Sequence, residues 1–144
     1  MMVVARPKLS TTPGAPVGGV VAAAIHSMRE VFPIDVHLAT PPDTATRCSA
    51  DELEHLLIGL ALDACDTFGA PDGVVLELFV RERQIDGQPW IEIVRACKSP
   101  PSPESDRFEL RVVEVIAAKA KGEVTASARR EGGEDLVVAL PVIA

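Results

Sequence analysis

The chain has 144 residues, 47% apolar and 24% charged, a composition that fits one globular domain with a real core and excludes a disordered chain. Its 14 basic and 21 acidic residues leave a net charge of −7 with no basic cluster, and aromatics are only 3%, so nucleic acid is not an expected partner. No apolar run approaches the roughly 20 residues of a membrane span, no signal-peptide pattern is visible, and Cys48, Cys65 and Cys97 form no CxxC; the expectation is a reducing, cytoplasmic setting without membrane contact, disulfide scaffold or zinc site.

Residues 1–15 read as a flexible leader, broken by Pro7, Pro13 and Gly14. Pro16 then suits the first turn of a helix, and Val17, Val20, Val21, Ala24, Ile25 and Met28 recur at helical spacing before Pro33 stops it. Ile34–Leu38 alternates as a half-buried strand, with His37 on its exposed side. Ser49 with Glu52 makes a capping box for a second helix, whose stripe is Leu53, Leu56, Leu57, Leu60, Ala61, Ala64 and Phe68; Gly69 ends it.

A hairpin follows, with strands Val74–Arg81 and Trp90–Arg95 about the turn signal Asp86-Gly87. Lys98–Ser105 is a proline-rich loop. A third helix is expected over about Asp106–Lys121 with Gly122 as the left-handed residue beyond its end. Glu123–Arg130 alternates, Glu131–Glu134 reads as a turn, and Asp135–Ile143 is a last apolar strand. The order α-β-α-β-β-α-β-β implies an α+β two-layer sandwich: a mixed, largely antiparallel sheet with helices on one face, over residues 16–144.

On the second helix His55, Gly59, Asp63 and Asp66 share a face opposite the leucine stripe, since they fall at i, i+4, i+8 and i+11. By spacing alone this is the solvated side of an amphipathic helix, with Gly59 leaving room for a close approach.

From Pro16 to Pro141 the chain resembles the ATP-binding catalytic domain of sensor histidine kinases, whose fold is shared with gyrase and MutL. Asp51–Thr67 looks like the family's N-box helix, N-L-x-x-N-A-x-D-A, and Leu110–Pro141 follows its C-terminal helix, strand and closing L-V-V-A-L-P. The resemblance implies ATP or ADP as ligand and Mg²⁺ held by Asp63, which stands at the second N-box asparagine; aspartate is also a hard oxygen ligand. Gly59 replaces the first asparagine, and Asp66 matches the following polar position. His55 or Asp66 would assist as acid–base groups beside Asp63.

The glycine boxes depart from the family. Where D-x-G-x-G stands, this chain has Arg95-Ala96-Cys97-Lys98-Ser99; where G-x-G-L stands, it has Arg107-Phe108-Glu109-Leu110. Arg95 is donor-only and cannot accept the adenine amino hydrogen bond. Arg95, Lys98 and Arg107 could instead steady phosphates by charge, with Cys97 and Ser99 at the former glycines; ordinary surface solubility explains the three cations equally well.

Two readings result. In the first, the chain is a divergent catalytic domain that transfers the ATP γ-phosphate to a histidine on a helical dimerisation domain, upstream of a response regulator. No phosphoacceptor helix pair is recognisable, so the chain would be a fragment of a longer kinase or a stand-alone module. In the second, nucleotide binding is lost and the domain is a docking surface for such partners. Asp63→Ala separates them: it should lower nucleotide affinity in the first, and in the second change a surface carboxylate at a cost within about 0.5 kcal/mol.

Overall fold

Pro16, at φ −61° and ψ 120°, leads into α1 (Val17–Met28), which buries Val17, Val21, Ala24, Ile25 and Met28 along one stripe. The computed structural model describes residues 12–30, 33–68, 76–97, 106–130 and 133–143, without the side chains of 65–68. Most of the expected leader lies outside them. Its last residues are tied down: Gly14 and Ala15 donate their N–H groups to the Cys48 carbonyl at 3.2 and 3.4 Å.

Strand β1 (Ile34–Ala39) precedes α2 (Ala50–Phe68). The capping box forms reciprocally. The Ser49 N–H donates to Glu52 Oε1 at 3.0 Å, and the Glu52 N–H donates to Ser49 Oγ at 3.1 Å. Leu53, Leu56, Leu57, Leu60, Ala61 and Ala64 are all buried, as the stripe requires.

Strands β2 (Leu76–Ile85) and β3 (Gln88–Cys97) form the hairpin. Asp86 and Gly87 both have positive φ, 51° and 76°, the signature of a type I′ turn, whose twist matches that of the strands. Next come α3 (Phe108–Lys119), β4 (Glu123–Ala128) and β5 (Glu134–Pro141). The five strands lie in the order β1-β2-β3-β5-β4. Only β1 and β2 are parallel, because α2 intervenes as a crossover; the other neighbours are antiparallel.

The core lies between one sheet face and the three helices. Leu78, Val80, Ile91, Ile93, Leu136, Val138 and Leu140 meet Leu53, Leu56, Leu57, Leu60, Val113 and Ala117 there. The architecture is the expected α+β sandwich with a mixed sheet. Among the described residues no helix is long and apolar enough to cross a membrane.

The end of α3 differs from the expectation. Lys121, not Gly122, takes the left-handed conformation, at φ 63°. The Lys121 N–H donates to the Ala118 carbonyl at 3.0 Å and the Gly122 N–H to the Ala117 carbonyl at 2.8 Å, a Schellman pair displaced by one residue. Gly122 has another task. A Cβ there would stand 2.2 Å from the Ala139 carbonyl oxygen, so only glycine lets the chain pass this close to β5.

A buried ion cluster at the candidate functional site

Arg95 sits on β3 between Ile93 and Cys97 on the core-facing side, because alternate residues of a strand share a face. Its guanidinium is fully buried and aims at α2. Nη1 donates to Asp63 Oδ2 at 2.6 Å and to the Leu60 carbonyl at 3.2 Å. Arg107, the N-cap residue of α3, reaches the same carboxylate: Nε donates to Oδ1 at 3.2 Å and Nη2 to Oδ2 at 2.7 Å. A second carboxylate completes the set. Glu134, first residue of β5, accepts from Arg107 Nη1 at 3.0 Å and Nη2 at 2.7 Å, and from Arg95 Nη2 at 3.4 Å.

Among the described residues, two cations and two anions thus form a cluster joining α2, β3, β5 and the start of α3. Burial in low dielectric penalises each lone charge by several kcal/mol, and mutual pairing through hydrogen bonds offsets that penalty. Burial pushes the Asp63 carboxyl up, but the hydrogen bonds and charges of Arg107 and Arg95 outweigh it and hold the carboxyl below its ordinary 3.8. The hydrogen bonds to Glu134 and then Asp63 push the Arg107 guanidinium above its ordinary value, so it stays charged. Arg107 holds a left-handed φ of 55°, unusual for a side chain of this size.

Several expectations change here. Gly59 and Asp63 are not on a solvated face: both are buried. What approaches Gly59 is α3, since a Cβ there would stand 2.8 Å from Val113 Cγ2. From Gly59 to Asp63 the helix is covered on two sides, so the periodicity that separated stripe from surface misplaced this part of the face. His55 is exposed and lies two turns from Asp63, about 12 Å along the axis. It does not join the cluster. The side chain of Asp66, and Lys98 and Ser99 altogether, lie outside the described residues. Cys97 is buried beside Arg95 on β3. Of the three cations, Arg95 and Arg107 face carboxylates of their own chain and not open solvent.

Glu134 was missed because Glu131–Glu134 reads as a turn. The signal was present: Glu134, Leu136, Val138 and Leu140 alternate on one face, which makes Glu134 the first inward residue of β5.

No protein-family model matches the sequence, and no curated protein matches it. Solved structures do. The ATP-binding domain of PrrB from Mycobacterium tuberculosis superposes with a TM-score of 0.67 over 92% of this chain and 98% of that one, at 20% identity. The mycobacterial sensor histidine kinase MprB gives 0.65 over 89% and 95%, at 16% identity. The chain has the fold of a histidine kinase ATP-binding domain. Full-length ShkA in complex with AMPPNP shares that fold with a TM-score of 0.64 at 16% identity, where this chain covers 31% of the kinase. Asp63, Arg95 and Arg107, the residues that the sequence resemblance sets at the N-box and the two glycine boxes, are thus brought together in one cluster.

Mg²⁺ would need near-octahedral oxygen ligands at about 2.0–2.1 Å. Asp63 is a poor fit for that role, because both its oxygens accept guanidinium hydrogen bonds and a divalent cation there would face two fixed positive charges.

Proposed function

We propose that this chain is a non-catalytic relative of the histidine kinase ATP-binding domain, acting in a cytoplasmic two-component pathway as a docking module for a histidine-bearing dimerisation domain or a response regulator. One observation carries the reading: Asp63, Arg95 and Arg107, which the sequence resemblance sets at the metal, adenine and phosphate positions, are joined to one another and to Glu134. Any nucleotide taking its usual partners would have to break ion pairs among these side chains. The outer helix surface gives the docking idea some substance. Phe108 and Val115 are exposed two turns apart on α3, and Leu62 is exposed on α2.

The catalytic reading keeps one observation in its favour. Arg107 is 22% exposed, the most accessible cation of the cluster, so a phosphate group could compete with Glu134 for its guanidinium. The PrrB structure is of an ATP-binding domain, and full-length ShkA is in complex with AMPPNP.

Titration calorimetry with ATP and ADP, with and without Mg²⁺, decides between the two. The docking reading expects no heat of binding at millimolar nucleotide, and binding of a purified receiver or dimerisation domain instead. Mg²⁺-dependent nucleotide binding that weakens in Arg107→Ala would overturn it and restore the kinase reading.

A further inference from the structure

The face of the sheet turned away from the helices carries a second group of chemistry-bearing side chains, remote from the ion cluster. Asp35 and His37 alternate with Ile34, Val36 and Leu38 on β1, so they point to the open side. The parallel register sets Asp35 beside Glu77 and His37 beside Phe79 on β2. His37 Nε2 lies 3.4 Å from Asp35 Oδ2 and 3.9 Å from Glu77 Oε2, and the three donor atoms all fall within 4.8 Å of one another.

We propose that Asp35, His37 and Glu77 form a binding site for a divalent transition-metal ion of the Zn²⁺ class. Two register-paired carboxylates on neighbouring strands repel, and a cation between them removes the repulsion. The donor set is mixed, one imidazole nitrogen and two carboxylate oxygens, which suits Zn²⁺ better than the all-oxygen shells of Mg²⁺ or Ca²⁺. Ligands about a tetrahedral Zn²⁺ at 2.0–2.1 Å stand roughly 3.3 Å apart. Two edges of the triangle, 3.4 and 3.9 Å, are close to that spacing, and the third is no longer than 4.8 Å. The imidazole is also pre-oriented. It stacks on Phe79 with ring centroids 4.6 Å apart and planes 9° from parallel, which keeps Nε2 aimed at the carboxylates. Three protein ligands on an exposed sheet face leave a fourth position open to water.

The test is calorimetric titration of the full chain with Zn²⁺ in a non-chelating buffer. The proposal expects one equivalent bound. It expects at least about tenfold weaker binding in both His37→Gln and Glu77→Gln, the scale on which even supporting residues of a metal site act. His26→Gln and His55→Gln should bind as the parent does. Should a site variant fail to fold, the parent protein still gives the answer: added Zn²⁺ should shift the His37 ring nitrogen resonance in an NMR spectrum. No binding, binding unchanged in His37→Gln, or a His37 ring that does not respond would each overturn the site.

Discussion

Arg107 and Asp63 meet fork to fork, Nε on Oδ1 at 3.2 Å and Nη2 on Oδ2 at 2.7 Å, although 44 residues separate them in the chain. The pairing draws the first turn of α3 onto α2, and Gly59 lets it settle, with Val113 filling the space a side chain would need. Arg95 approaches the same carboxylate from the sheet side. Asp63 is therefore held from both layers of the sandwich at once.

Asp63→Ala leaves the fully buried Arg95 with a missing partner. Removing one member of a buried ion pair costs about 3–5 kcal/mol, far above the 0.5 kcal/mol expected of a surface carboxylate. Urea unfolding of parent and variant measures it. A loss under about 1 kcal/mol would mean that the cluster is not formed in solution.

A double-mutant cycle separates pairing from simple burial. Glu134→Gln and Arg107→Ala share two hydrogen bonds, at 2.7 and 3.0 Å, so their effects should couple by about 0.5–3 kcal/mol and not add. Additive losses would place the two side chains apart.

Acid should destabilise the domain in a definite window. The Asp63 carboxyl is held below its ordinary 3.8: burial raises it, and the Arg107 and Arg95 hydrogen bonds more than reverse this. The Glu52 carboxyl is held below its ordinary 4.5, chiefly by the Ser49 backbone N–H. A carboxylate with a depressed folded pKa contributes stability that is complete above its unfolded pKa and is lost as pH falls through the folded one. These two groups therefore add nothing to the pH dependence from about 6 to 7, and stability declines from about pH 4.5 downward. Thermal melts across that range check it. In Asp63→Asn the acid slope should be shallower.

The α3 exit offers a paired test. Gly122→Ala sets a methyl 2.2 Å from a backbone carbonyl that has no rotamer to escape through, and overpacking of this kind costs about 1–3 kcal/mol. Lys121→Gly relieves a left-handed residue at φ 63° and should stabilise by up to about 1 kcal/mol. The reverse pattern would place the left-handed residue at Gly122, where the sequence first suggests it.

The sequence by itself determined the element order, the capping box at Ser49, the leucine stripe of α2, the Asp86-Gly87 turn and the mixed sheet. These features rest on local periodicity and on backbone preferences that act within a few residues. The resemblance to histidine kinases was legible in the same way, from ordered patterns along the chain, and the fold agrees. Only the tertiary structure decided what the polar residues do. Whether Asp63 faces water or α3 depends on where α3 packs. Whether Arg95 meets a phosphate or a carboxylate depends on Asp63, 32 residues earlier, and on Glu134, 39 residues further along. Helical spacing marks which residues share a face, but it does not say what covers that face. That choice belongs to long-range packing, in which buried charges find the partners that leave them paired.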